Sequence, residues 1–180
     1  MFEGEGDIVS ILATIMQRQS IRAFKDQDIP QEAVDMLVEA IRWAPSAGNL
    51  QSRKFYFVFD QEIRKKLAEA ALNQNFIAQA PLAVVACLDR HIAVRYGDRG
   101  VNLYSIQDVA ASVMNLLLVA HELRLGTCWV GAFNEFDVVE ILDLPDHLRP
   151  VAIVPVGYPG KVPSGRQKRI SKEEAVQMVR

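Results

Sequence analysis

The chain has few of the residues that usually announce a function. Its 180 residues hold two cysteines, Cys87 and Cys128. That excludes a disulfide scaffold and makes a reducing, cytoplasmic setting the default. No G-x-G-x-x-G follows a strand-like run and no P-loop occurs, so the common dinucleotide and nucleoside-triphosphate cradles are absent. His121-Glu122 starts like a zinc H-E-x-x-H helix, but position 125 is leucine. The three histidines, His91, His121 and His147, have no ligand spacing, so no metal site is expected. His121 reads as a helix-surface or interface residue. There is no G-x-S-x-G nucleophile elbow, and Cys87, inside LAVVACL, reads as inert core. Charge of one sign is also missing: 20 Lys+Arg against 22 Asp+Glu give a net charge of −2. Bulk attraction to nucleic acid or to an acidic membrane is therefore not expected. The longest unbroken apolar runs, 82–88 and 151–156, fall short of the roughly 18 residues that span a bilayer. The acidic, glycine-containing segment 1–7 does not read as a secretory signal.

What is present is core material. Half of the residues are hydrophobic, enough for one domain spanning 1–180. Apolar positions 8, 11, 12, 15 and 16 predict a helix over 8–19, capped by Asp7. Pro30 opens a second helix over 31–43, which ends before Pro45. KFYFVF (54–59) reads as a strand, 62–72 as a helix and 75–80 as one further helical turn. The run 82–88 is apolar throughout, as in a strand buried on both faces. The polar, glycine-punctuated stretch 89–104 reads as a mobile loop. Ser105 and Asp108 have the spacing of a capping box. The helix they open, 106–125, is apolar nearly all round, as for a central helix or a subunit contact. A short strand (127–131), a helix (135–142) and a buried strand (151–156) follow. After a Pro/Gly-rich basic tail (158–169), Ser171 and Glu174 form a second capping-box pattern. Uneven connections favour an α+β sheet wrapped by helices over a regular βαβ series.

Three polar strips and the tail carry the candidate chemistry. In Arg18-Gln19-Ser20-Ile21-Arg22, an extended backbone turns two guanidiniums and a hydroxyl to one side, a donor set suited to phosphate oxygens. In Ala44-Pro45-Ser46-Ala47-Gly48-Asn49-Leu50-Gln51, small residues permit close backbone approach while Ser46, Asn49 and Gln51 offer donors and acceptors. In Gly126–Phe133, the N–H groups of Gly131 and Ala132 precede a helix. Trp129, taken alone, reads as core. Arg166, Lys168 and Arg169 add three positive charges.

In this order, RQSIRAF (18–24), APSAGNLQS (44–52), FIAQAPLAVV (76–85), Gln107-Asp108, LGTCWVGAF (125–133) and LRPVAIVPVGYP (148–159) resemble the nitroreductase-like flavoprotein family. The resemblance implies an α-β-α sandwich with a mixed, mainly antiparallel sheet. It also implies an intertwined homodimer, with FMN at the interface and an arm near 158–180 embracing the partner. The family takes electrons from NADH or NADPH in a ping-pong cycle and reduces small nitro, quinone, enone or flavin-type acceptors. Carried onto this chain, Arg18, Gln19, Ser20 and Arg22 form one FMN-binding strip. Pro45, Ser46, Ala47, Asn49 and Gln51 form a strip that serves the other subunit's flavin. Asn73 meets the ring, and Trp129, Val130, Gly131 and Ala132 lie near flavin N5. Lys168 and Arg169 clamp the phosphate. No protein acid or base is implied, because the flavin carries the chemistry. Many members follow N-x-Q with Pro-Trp, where this chain has Ser52-Arg53. Larger members carry an inserted lid, and only 89–104, with Arg95, Tyr96, Arg99 and Tyr104, offers a counterpart here. A protein that carries or consumes flavin, and a cofactor-free dimeric interaction protein, are the alternative readings.

Overall fold

The structure is a computed structural model, described here for residues 11–165 and 168–180. Its centre is a four-stranded sheet in the order β1-β2-β4-β3: β1 Arg53–Val58, β2 Leu82–Asp89, β3 Gly126–Thr127 and β4 Leu148–Gly157. All three strand pairings are antiparallel. Among the described residues, the one parallel pairing is the isolated bridge from Ser20 to Thr127, which adds the first polar strip to the β3 edge. The sheet is thus mixed but mainly antiparallel, as expected.

β2 is buried on both faces because helices cover both. Leu82, Val84, Ala86 and Leu88 share one core with Ala152, Val154 and Val156 of β4. Helices α2 (Gln31–Arg42) and α6 (Ser105–Glu122) close it through Leu37, Ile41, Val109, Val113 and Leu116. Ala83, Val85 and Cys87 face the other way, onto α3 (Gln61–Ala70), α4 (Phe76–Gln79) and α7 (Glu135–Leu142). The period-2 alternation of a strand thus feeds two cores from one apolar run. Asp60 caps α3 by accepting the Ile63 N–H at 2.9 Å, and Asn134 caps α7 by accepting the Phe136 N–H at 3.0 Å. The capping box at Ser171 and Glu174 forms as expected, opening α8 (Lys172–Ala175).

Several boundaries and one whole segment differ from the sequence reading. The first helix, α1, runs Ile11–Gln17 among the described residues, and its expected cap Asp7 lies outside them. It stops two residues early because the chain joins the sheet edge, where the Ile21 N–H donates to Thr127 O at 2.8 Å. The stretch 89–104 is helical rather than a loop. Asp89 caps a 3₁₀ turn at Arg90–Ile92, α5 follows at Ala93–Arg99 with a kink at Gly97, where φ is 52°, and a π-type turn at Gly100–Tyr104 runs into α6. Sequence patterning missed it because glycines and charged residues interrupt its apolar positions; its order comes from docking, with Ile92 and Gly100 buried. For the same reason the Ser105/Asp108 pattern is no cap. The helix is already under way at Ser105, whose hydroxyl donates to Val101 O at 2.8 Å.

The helical stretch Arg90–Glu122 is long and apolar enough, by length and composition, to cross a membrane. Yet 44% of its most apolar window is buried inside the fold, and α6 packs between the sheet and α2, which marks a core helix.

Candidate functional site

The first strip leaves α1 in extended form. Ile21 turns into the core at 4% exposure, which sends its neighbours Ser20 and Arg22 to the opposite side, as the alternation argument requires. Both meet the Cys128 thiol. Burial pushes that thiol up, while the charge and hydrogen bond of Arg22, the hydrogen bond of Ser20 and the charge of Arg18 pull the other way. Beside Arg18 lies a cleft of about 670 Å³, lined by Ile15, Met16, Gln19, Gly165 and Arg169 among others. The tail therefore returns to the first strip, and Arg18 and Arg169 share one cleft. Lys168 is exposed nearby in sequence, and Arg166 lies outside the described residues.

The third strip borders the same sheet edge. Val130 faces the core and exchanges both main-chain hydrogen bonds with Ile153, at 2.9 and 3.0 Å. The chain then lifts away from the sheet. Among the described residues, neither the Gly131 nor the Ala132 N–H donates to any protein acceptor. A Cβ placed on Gly131 would meet nothing within 4 Å. Trp129 is 40% exposed, which corrects its reading as core: it stands at the rim of this open space. Asn73, with left-handed backbone at φ 60°, is exposed in the loop alongside. The neighbouring Gln74 ties that loop to the third strip, since its Nε2 donates to Ala71 O at 2.9 Å and to Ala132 O at 3.1 Å. Gln74 carried no signal in the sequence, because both of its partners are backbone carbonyls.

The second strip is a tightly wound turn between α2 and β1. Gly48, Asn49 and Gln51 all have φ near +55°: 55°, 55° and 54°. Such a run is tolerated because Gly has no Cβ and Asn enters this region readily. At Gly48 a side chain would also collide with the Tyr96 hydroxyl. Polar bonds hold the turn from several sides. Ser46 Oγ accepts the Gln51 N–H at 3.0 Å, and the Asp108 carboxylate on α6 accepts the Ala47 N–H at 2.9 Å. Arg53 stands where many family members have tryptophan. Its guanidinium donates to the carbonyls of Ala44 at 2.6 Å and Pro45 at 2.9 Å. Burial lowers the Arg53 pKa and Asp108 opposes the shift. The departure from the family pattern is thus a brace for the strip. Among the described residues, no hydrogen bond joins the second strip to the first or the third.

The stretch read as a possible lid packs on this turn. Tyr96 reaches Gly48 and meets Tyr104 edge-on at 5.4 Å between centroids. Arg99 Nε donates to the Tyr104 hydroxyl at 2.9 Å. Elsewhere the structure unites residues that the sequence keeps far apart: the rings of His91 and His147 lie 4.3 Å apart, beside Asp89.

The chain and its fold have clear relatives among known proteins. A protein of Methanothermobacter thermautotrophicus assigned as an NADH dehydrogenase/NAD(P)H nitroreductase is 30% identical over 168 residues, which covers 91% of this chain and 85% of that protein. The FMN reductase (NADPH) of Bacillus subtilis is 30% identical over 176 residues, covering 90% of this chain and 70% of the reductase. Among solved structures, the NfrA1 nitroreductase of B. subtilis superposes with a TM-score of 0.86 at 27% identity, covering 93% of this chain and 73% of that one. The model of the nitroreductase family matches residues 15–158, from α1 through all four strands, and the chain belongs to that family.

Proposed function

We propose that the chain is an FMN-dependent NAD(P)H oxidoreductase that works as a homodimer and reduces a small nitro, quinone, enone or flavin-type acceptor. The observation that carries this reading is the pair of unpartnered N–H groups at Gly131 and Ala132, on an open surface, at the same sheet edge as the cleft of Arg18 and Arg169. A flat, hydrogen-bond-accepting ring joined to a phosphate needs both ends of such a site.

Bound FMN would supply the hydride chemistry. Arg18, Ser20, Lys168 and Arg169 would hold its phosphate and ribityl oxygens, and Arg22 would supply a fixed positive charge to the ring. Gly131 and Ala132 would donate their N–H groups to an acceptor nitrogen of the ring. Gln19, Asn73 and Trp129 border the ring, with Val130 behind them in the core. Pro45, Ser46, Ala47, Asn49 and Gln51, braced by Asp108 and Arg53, serve the partner subunit's flavin. Two protomers thus complete a site that one leaves divided.

The dimer reading rests on exposed apolar surface. Ile11, Leu12, Ile15 and Met16 of α1 are exposed, as are Met36 and Trp43, the latter at 81%. A groove of about 790 Å³ runs between them along α1, α2 and α6. The terminal segment is exposed throughout 168–180, with Ile170, Val176, Met178 and Val179 turned outward, which suits an arm laid on a partner. On this reading 1–180 is one domain, and its two buried free thiols fit a reducing compartment.

The test is a visible spectrum of the purified chain, followed by NADH or NADPH and a panel of acceptors. Yellow protein bleached by either nucleotide and reoxidised by an acceptor is expected. Colourless protein that takes up no added FMN overturns the proposal. Flavin bound without nucleotide oxidation would favour a carrier instead.

A further inference from the structure

We propose that Asp89, His91 and His147 form a binding site for a divalent transition-metal ion of the zinc type, separate from the flavin site. One ligand atom from each residue lies within 4.8 Å of the others. Asp89 Oδ1 and His91 Nδ1 are 2.9 Å apart, and the two imidazole rings are 4.3 Å apart and tilted by 34°. Ligand atoms around one ion at roughly 2.0–2.1 Å sit about 3–3.5 Å from each other, so small side-chain rotations bring the set to bonding geometry.

The backbone under these ligands is already fixed. Asp89 is the last residue of β2 and pairs with Leu148, the first residue of β4, so His147 directly precedes a ladder rung. The Arg90 N–H donates to His147 O at 2.8 Å, locking the two strand ends together. Asp89 Oδ1 also accepts the His91 N–H at 2.8 Å, which sets the turn that brings the His91 ring beside Asp89. Three ligands on strand ends and a capped turn form a preorganised set, unlike three side chains on a flexible loop. The neighbouring cation is directed elsewhere: Arg90 Nη1 donates to Asp146 O at 2.9 Å.

Two imidazoles and one carboxylate select zinc, cobalt, nickel or copper over magnesium or calcium, which prefer all-oxygen shells. His91 is exposed, so an ion can enter directly from solvent and keep water in its remaining positions. The site lies at the start of β4, whereas Gly126 pairs with Gly157 at its far end and the first polar strip bridges from Ser20 to the adjacent Thr127. It also roots the turn that leads into α5.

The experiment is calorimetric titration of zinc chloride into untagged, chelator-stripped full-length protein, repeated with magnesium chloride. One equivalent of zinc should bind saturably and magnesium should not. His91→Ala and His147→Ala should each weaken zinc binding on the order of tenfold or more. The double variant should abolish it, with the melting temperature in chelator unchanged for His91→Ala because that side chain is exposed. Absence of saturable zinc binding in the wild type, or binding that persists unaltered in the double variant, overturns the proposal.

Discussion

The carboxylate of Asp108, in the middle of the fold on α6, accepts the main-chain N–H of Ala47 at 2.9 Å and is itself 4% exposed. Its other oxygen, Oδ2, is buried without a partner among the described residues. Together with Ser46 and Arg53, this side chain fixes a turn three of whose residues sit in left-handed backbone. Asp108→Ala leaves the Ala47 N–H unsatisfied and should cost about 1–3 kcal/mol by urea unfolding. It should also weaken FMN uptake, because the turn serves the partner's flavin. Asp108→Asn keeps an acceptor and should recover most of both losses. Full stability in Asp108→Ala would show that the turn holds itself.

Arg18 makes the complementary case, a residue whose work lies outside the fold. It borders the cleft shared with Arg169, and no described side-chain hydrogen bond ties it to the protein's own core. Losing a charge-assisted bond to phosphate costs about 1.5–3 kcal/mol. Arg18→Ala should therefore weaken FMN binding about 10- to 100-fold in a fluorescence-quenching titration, with the unfolding midpoint nearly unchanged. Parallel loss of stability and affinity would assign Arg18 to the structure instead.

The contrast between these two residues marks what a sequence can show. The apolar run 82–88 and the period of α2 declare their elements because burial on a face repeats along the chain. Arg18, Ser20 and Arg22 declare a common side because strand alternation is local. Asp108 hides its role: its partner is a backbone N–H on another element, so the side chain's pattern pointed to a cap that does not form. Residues 93–99 hide their helix because tertiary docking, with Tyr96 against Gly48, supplies what their own periodicity lacks. The pairing of His91 with His147 exists only through the β2–β4 register. Trp129 misled for the opposite reason, since a large aromatic is a core residue by default until a rim is seen.

Gly131 separates space from chemistry. A side chain there would meet no protein atom within 4 Å, and its φ lies outside the left-handed region. Gly131→Val should therefore change stability by no more than about 0.5 kcal/mol. If a flavin ring occupies that space, the added methyl groups overpack it by about 1–3 kcal/mol. The expected result is a normally folded protein with weak FMN binding and slow reduction by NAD(P)H. Unchanged affinity would place the ring elsewhere.

Cys87 yields a prediction in pH. Its thiol is fully buried between β2 and the α3/α7 layer, and burial pushes its pKa from 9.0 up to about 12. A thiol raised in the folded state holds its proton after the unfolded chain has lost it. Its contribution is therefore complete below pH 9 and is lost as pH rises toward about 12. Across that window stability should fall by up to about 1.4 kcal/mol per pH unit on this account. Cys128 and Tyr56, also raised by burial, steepen the fall. Urea midpoints measured from pH 8 to about 10.5 should drop less steeply in Cys87→Ala than in the wild type, whatever the cavity costs at neutral pH. A thiol reagent at pH 8 should leave Cys87 unmodified until the chain unfolds, because the thiolate is both scarce and enclosed. Parallel pH profiles for the two proteins would mean that the buried thiol does not govern the alkaline limb.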